Sequence, residues 1–167
     1  MPVTHMRIDN RLVHGQVVVS WIRAEHADLL MVANDNIARD EFQKSILLAV
    51  APPSIRELVL TVDDALAYIA SNEHARENIF LLVKTPEDAL RLIRGGLAIQ
   101  TVNVGNMAFA VGSKRVSNTV YVTPADVENF VLLHDAGIAL TCRMMPTERG
   151  NDFIKMLDGA HLLAKAG

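Results

Sequence analysis

The chain has 167 residues, half of them hydrophobic and about a fifth charged, so it is long enough to bury the core of one compact domain. Its formal net charge of −3 excludes the strongly basic surface typical of nucleic-acid-binding proteins. Its single cysteine, Cys142, excludes an internal disulfide and suits a reducing compartment, and its apolar runs are too short to span a bilayer. We expect one domain over residues 1–167, located in the cytoplasm and without direct membrane insertion.

The first predicted elements enclose a polar loop. Residues 3–8 form a short, mostly apolar run typical of a strand, and residues 16–24 repeat their apolar side chains at helical spacing. The loop between them contains His14, and it is expected at the carboxyl end of a strand, where ligands bind in open α/β sheets.

Further strands and helices alternate along the rest of the chain. Thr85-Pro86 and Thr123-Pro124 both predict helix starts, because threonine caps a helix and proline is tolerated in its first turn. Pro52-Pro53 ends the second helix, whose residues Phe42, Ile46, Ala49 and Val50 fall on one face, and the closing helix is predicted over 152–164. The other predicted strands cover residues 29–33, 58–62, 79–83, 101–104, 119–122 and 138–142.

This alternation predicts the fold class. Strands separated by single helices favour a three-layer α/β/α domain with a mainly parallel open sheet of about seven strands and helices on both faces. Parallel strands need right-handed crossovers, so the winding direction must reverse at one point of the sheet, and a ligand crevice is expected there.

The loop after the first strand combines a nucleophile with groups that bind anions. Arg7 and Arg11 are fixed cations suited to phosphate, Asp9 can orient an imidazole, and Gly15 lets backbone approach a ligand. A lone histidine in a loop is usually structural, so His14 becomes a candidate nucleophile only through these neighbours.

The same run resembles the active-site loop of the IIB component of the mannose/fructose/sorbose/N-acetylgalactosamine-type bacterial phosphotransferase system (PTS), Arg-x-Asp-x-Arg-Leu-x-His-Gly-Gln-Val. The resemblance covers nearly the whole chain. It continues through Trp21 and three further segments, namely Val32-Ala33-Asn34-Asp35 with Ala38 and Asp40, Lys84-Thr85-Pro86, and Val102-Asn103-Val104-Gly105-Asn106-Met107.

The resemblance implies a phosphocarrier with the activity of a protein-N(pi)-phosphohistidine–sugar phosphotransferase. Its phosphoryl donor would be a phosphohistidine on the IIA component, and its acceptor a sugar held by the membrane components IIC and IID. Contact with those components would bring the chain to the inner face of the cell membrane. No cofactor, metal ion or nucleic acid is expected. The resemblance also implies that the first and fourth strands lie side by side, with the His14 loop next to Lys84.

Within this family the matching residues acquire roles. His14 would carry the phosphoryl group, while Arg7, Arg11, Gly15 and Gln16 would bind its oxygens. Asp9 would either orient the His14 ring or hold an arginine, and the sequence leaves both alternatives open.

Weaker candidates and rival functions remain beside this interpretation. Lys84 and Thr85 are as well explained by a surface cation and a helix cap as by a role in phosphate or partner binding.

Two functions are alternatives to the phosphocarrier. One is a regulatory module that binds a phosphorylated ligand without turnover, and the other is a hydrolase with His14 as general base. The hydrolase needs a second acid or nucleophile that the sequence does not supply.

Overall fold

A computed structural model describes residues 2–164 of the chain. The strands are β1 (Val3–Asp9), β2 (Leu29–Ala33), β3 (Arg56–Leu60), β4 (Ile79–Val83), β5 (Thr101–Asn106), β6 (Lys114–Arg115), β7 (Tyr121–Val122), β8 (Ala139–Cys142) and β9 (Asn151–Asp152). The helices are α1 (Gly15–Ala24), α2 (Asp35–Arg39), α3 (Glu41–Val50), α4 (Val62–Ala70), α5 (Pro86–Arg94), α6 (Pro124–Asp135) and α7 (Phe153–Gly159), with a 3-10 turn at Asn72–His74.

Seven strands form one sheet in the order β3-β2-β4-β1-β5-β8-β9, and all its pairs are parallel except β8 with β9. The chain first winds toward β3, then crosses back to β4 and continues through β5 to β8, so the direction reverses around β1. The predicted neighbours β1 and β4 are paired, with Arg7 opposite Leu82. This order places the loop after β1 beside the loops after β4 and β5.

Two apolar clusters lie on opposite faces of the sheet because side chains alternate along each strand. Leu29, Met31 and Ala33 of β2 belong to the larger cluster, which packs against α4, α5, α6 and α7. Leu30 and Val32 of the same strand belong to the smaller cluster, which packs against α1, α2 and α3. The predicted three-layer α/β/α class with helices on both faces is confirmed.

The predicted helix starts are confirmed at the level of single hydrogen bonds. The Thr85 hydroxyl accepts from the Asp88 amide at the start of α5. Thr123 and Asp126 form a reciprocal capping box at the start of α6.

Several predicted elements differ from the structure, beginning with the strand expected over 58–62, which is β3 at Arg56–Leu60. The strand expected over 119–122 contributes only the short β7, which pairs antiparallel with β6 in a separate two-stranded sheet, because the loop after β5 folds back on itself. The seventh strand of the main sheet is instead β9, which is too short and polar to show a strand pattern. The closing helix ends at Gly159 instead of residue 164, and His161 beyond it has a positive φ of 60°.

The helix predicted after β2 is divided in two, because Asp40 ends α2 and its side chain caps α3. The apolar face of α3 expected from its sequence exists but is turned to solvent, with Phe42 74% and Ile46 46% exposed. Leu47 packs against the sheet instead. Within residues 2–164, no helix is long and apolar enough to cross a membrane.

Candidate functional site

The loop from β1 to α1 is held in one conformation by its apolar residues. Leu12 and Val13 are buried in the cluster beneath α1, and the Leu12 amide donates to the Asp9 carbonyl. Leu12 has a φ of 57°, a left-handed conformation that costs a non-glycine residue about 1 kcal/mol or more. This turn delivers His14 to the N-cap position of α1.

His14 is oriented by one carboxylate contact. Its Nε2 lies 3.0 Å from Oδ2 of Asp9, and its side chain is 23% exposed. A neutral imidazole in contact with a carboxylate carries its proton on the nitrogen that faces the carboxylate. The geometry therefore assigns the proton to Nε2 and leaves the lone pair on Nδ1.

Asp9 is the centre of the site. Its buried carboxylate accepts from the Arg11 amide at 3.0 Å, from Arg11 Nε at 3.3 Å and from Arg7 Nη2 at 3.2 Å, in addition to its contact with His14. Asp9 therefore makes both kinds of contact that the sequence left open, one with the His14 ring and others with the arginines.

The two predicted phosphate-binding arginines have opposite surroundings. The Arg11 side chain is 43% exposed, whereas that of Arg7 is 1% exposed. Burial lowers the pKa of Arg7, and the neighbouring Asp9 carboxylate opposes that shift. Because Arg7 lies inside the protein, the geometry does not support its predicted direct contact with phosphate.

The start of α1 offers backbone donors close to the His14 ring. Gly15 has a φ of 43° and is exposed, as is Gln16. The first helical hydrogen bond runs from the Val18 amide to the His14 carbonyl, so the earlier amides have no acceptor within the helix. No acidic side chain of α1 occupies this first turn, so the helix itself places no negative charge at the positive end of its dipole.

Lys84 and Thr85 lie beside the loop, as the strand order predicted. Lys84 and Arg11 line the same cavity of about 210 Å³, which extends to Ile46 on α3. A second cavity of about 130 Å³ is lined in part by Lys84 and Thr85. The structure thus brings Lys84 to the edge of the site, while Thr85 has the capping role described above.

A segment that sequence reasoning missed is the loop over residues 143–150, after β8. The Met144 sulfur accepts from Nη2 of Arg7 at 3.3 Å and from Nη2 of Arg11 at 3.5 Å. The Met144 carbonyl accepts from Trp21 Nε1 at 2.9 Å. The place of this loop in the chain could have identified it, because it follows a parallel strand and so lies at the same edge of the sheet as the His14 loop.

Comparison with known proteins gives consistent matches. The family model described as "PTS system sorbose subfamily IIB component" matches residues 3–166. The fructose-specific EIIB component of Bacillus subtilis is 34% identical, with 94% of this chain and 96% of that protein covered. The mannose-specific EIIAB component of Escherichia coli is 38% identical over 91% of this chain, which corresponds to 46% of that longer protein.

Solved structures agree with the sequence relatives. The IIBSor domain of the sorbose permease from Klebsiella pneumoniae superposes with a TM-score of 0.92 at 30% identity, covering 95% of this chain and 98% of that one. The N-acetylgalactosamine-specific IIB component 1 from Escherichia coli gives a TM-score of 0.81 at 32% identity, covering 89% of this chain and 97% of that one.

Both the fold and the sequence define a sugar-specific component of the phosphotransferase system, a class of phosphotransferase proteins that serves sugar transport. The chain belongs to the PTS sorbose-subfamily IIB component family.

Proposed function

We propose that this chain is a phosphocarrier in which His14 accepts a phosphoryl group from a phosphohistidine on IIA and transfers it to a sugar bound by the membrane components IIC and IID. The contact between His14 Nε2 and Asp9 Oδ2 carries this proposal, because it keeps one ring nitrogen protonated and leaves Nδ1 free to attack. Membership of the IIB family supports the same role.

In the first transfer the Nδ1 lone pair of His14 forms a bond to phosphorus. The bond from phosphorus to the donor histidine nitrogen breaks, and its electron pair returns to the donor ring. The proton on His14 Nε2 stays in place, facing Asp9, whose carboxylate stabilises the positive charge that phosphorylation brings to the ring. In the second transfer the oxygen of a sugar hydroxyl forms a bond to the same phosphorus. The bond from phosphorus to Nδ1 breaks, its electron pair returns to Nδ1, and the hydroxyl proton is released to a base of the sugar-binding component or to solvent.

Charge on the transferred group is stabilised by donors around the ring. Phosphoryl transfer has a loose transition state with charge on the equatorial oxygens, so catalysis rests on positioning and on cations or amides placed beforehand. The exposed Arg11 guanidinium and the amides of Gly15 and Gln16 supply these groups, and Lys84 adds a cation at the edge of the site.

Arg7 has a different role in this proposal from the one its sequence position predicted. Its guanidinium is buried beneath Asp9 and donates to that carboxylate, so it acts on the reaction through Asp9 and without touching phosphate. We place the chain as one domain of residues 1–167 at the cytoplasmic face of the membrane, held there by IIC and IID.

Transfer of radiolabelled phosphate tests the first step. Phosphoenolpyruvate, the general phosphotransferase proteins and IIA should label this chain, and mapping should find the acid-labile phosphate on His14. Label on another histidine would refute the assignment.

Discharge of the purified phosphoprotein separates the carrier from its rivals. The site holds no general base placed to activate water among the described residues, so phosphate should be lost slowly with sugar alone. Loss should become rapid with sugar plus membranes that contain IIC and IID, and stay slow with membranes that lack them. Rapid hydrolysis without membranes would indicate a hydrolase, and a phosphoprotein that never discharges would indicate a regulatory module.

A further inference from the structure

The segment Asn103-Val104-Gly105 of β5 was singled out by sequence but has no part in the mechanism above. Asn103 is 1% exposed, and its side-chain oxygen accepts from Nη1 of Arg7. Its amide nitrogen lies 3.4 Å from the Thr141 carbonyl and 3.3 Å from the Arg143 carbonyl, to both of which it donates. Asn103 therefore joins Arg7 to the strand and loop on the far side of the site.

Gly105 provides the space that the Arg7 guanidinium occupies. A Cβ added to Gly105 would collide with the guanidinium carbon and both of its terminal nitrogens. The backbone of Gly105 is not left-handed, so the requirement for glycine is one of space and not of conformation.

The remaining sides of the guanidinium are also occupied. Arg7 Nη1 donates to the Arg143 carbonyl at 3.0 Å, and the Trp21 ring centroid lies 5.5 Å from Arg7 Cζ. Trp21 in turn donates to the Met144 carbonyl, so the indole and the loop over 143–150 cover Arg7 together. Arg7 Nη2 donates to Asp9 Oδ2 at 3.2 Å, and Nε is the one guanidinium nitrogen without a hydrogen-bond partner among the described residues.

We propose that Asn103 and Gly105 are positioning residues for phosphoryl transfer. They hold Arg7 where it fixes the Asp9 carboxylate, and Asp9 then keeps the proton of His14 on Nε2. Neither residue touches the reacting atoms: the effect passes from β5 through Arg7 to Asp9 and His14. This inference rests on the proposed function for its effect on rate, but its effect on the His14 ring is measurable without any transfer.

The first experiment compares Asn103→Ala with Thr141→Ala. Thr141 is the register neighbour of Asn103 on β8, and only its backbone carbonyl takes part in the network, so Thr141→Ala is a matched control. Nitrogen-15 NMR of the unphosphorylated proteins reports which ring nitrogen of His14 carries the proton. We expect the Nε2–H form in wild type and in Thr141→Ala, and a mixture of both forms in Asn103→Ala.

Single-turnover uptake of phosphate from phospho-IIA should slow at least about tenfold in Asn103→Ala and remain unchanged in Thr141→Ala, because small misplacements of reacting groups cost large rate factors. An Asn103→Ala protein that melts like wild type and keeps the wild-type tautomer and rate would overturn the proposal.

The second experiment is a double-mutant cycle between Gly105→Ala and Arg7→Met. Methionine keeps the apolar stem of Arg7 but removes the atoms that a Cβ at residue 105 would meet. Gly105→Ala should therefore lower stability and transfer rate in the wild-type background and have little further effect in Arg7→Met. Gly159→Ala, where an added Cβ meets no atom within 4 Å, is the control for a glycine-to-alanine change.

Equal losses from Gly105→Ala in both backgrounds would show that it does not act through Arg7 and would overturn its assignment. If Gly105→Ala folds only when Arg7→Met is also present, the spatial coupling is demonstrated directly. Failure of the wild-type chain to accept phosphate at all would refute the proposed function, whereas the NMR comparison and the stability cycle would still test the positioning network.

Discussion

The two faces of β1 are both buried, yet they differ in chemistry. Met6 and Ile8 point into the larger apolar cluster, whereas Arg7 and Asp9 point to the opposite face and bond to each other. The apolar side is held by burial, which has no direction, while the polar side is held by hydrogen bonds with fixed geometry. A single strand thus contributes apolar burial from one face and the carboxylate that orients the His14 ring from the other.

Burial of charge on the polar face is tolerated because nearly every group is paired. Asp9 accepts from both arginines and contacts His14, and Arg7 is paired through both of its terminal nitrogens. Breaking such a pair leaves an uncompensated buried charge, which typically destabilises a protein by about 3–5 kcal/mol. The polar face should therefore be far less tolerant of isosteric change than the apolar face.

The largest loss of phosphate transfer is expected from a change at His14, which contacts the polar network through Asp9. His14→Ala should abolish phosphate acceptance, because the nucleophile is lost, and should leave the fold intact, because a partly exposed loop side chain contributes little packing. Labelling with phospho-IIA, with circular dichroism as the control for folding, measures both. Uptake of acid-labile phosphate at the wild-type rate would assign the carrier to a different histidine.

Asp9→Asn compared with Ile8→Ala tests the contrast between the faces directly. Asp9→Asn should slow transfer by at least about a hundredfold and destabilise the fold by roughly 3–5 kcal/mol. Ile8→Ala removes buried apolar atoms and should lower the free energy of unfolding by a similar amount, roughly 2–5 kcal/mol. The folded variant should still transfer phosphate at the wild-type rate. Denaturant unfolding measures stability, and single-turnover assays measure transfer. A transfer defect in Ile8→Ala would show that the two faces of β1 do not differ in their effect on transfer.

A smaller and purely functional effect is expected from Arg11→Lys. Lysine keeps the charge but loses the planar fork that contacts both carboxylate oxygens of Asp9, so transfer should slow by about a hundredfold. Stability should change little because the side chain is half exposed. Arg23→Lys, at an exposed position on α1, the helix that follows His14, should transfer phosphate at the wild-type rate. Equal rates for both variants would remove Arg11 from the site.

The smallest effect is on the pH dependence of stability and comes from Glu57. In contrast to Asp9, its carboxylate oxygens are buried without a hydrogen-bond partner among the described residues. Burial raises the pKa of Glu57 from 4.5 to about 7. The folded state therefore retains a proton that the unfolded state releases, so this group lowers stability progressively as pH rises from about 4.5 to about 7.

Glu57→Gln should flatten the dependence of unfolding free energy on pH in that window, measured by denaturant titration at several pH values. Glu128→Gln, on an exposed position of α6, should leave the wild-type dependence in place. A Glu57→Gln curve that parallels wild type would show that the carboxyl finds a partner in solution.

Local sequence was a good guide to the elements and to the loop that carries His14. Apolar periodicity located the strands of the parallel sheet because a buried strand must be apolar along most of its length. Threonine followed by proline located the starts of α5 and α6 because capping depends on residues three apart. Local pattern failed where the chain forms very short elements, as in β9, or turns an apolar face outward, as in α3.

By itself, the sequence determined that Arg7, Asp9, Arg11 and His14 lie within one short stretch at the end of the first strand and that their residue types suit phosphate chemistry. Only the tertiary structure decided which arginine is buried. Beside Asp9, Arg7 bonds to the Asn103 side chain and the Arg143 carbonyl, which are 96 and 136 residues away along the chain. Such contacts arise from the order of strands in the sheet, and spacing along the chain contains no signal for them because a hydrogen bond depends on distance in space.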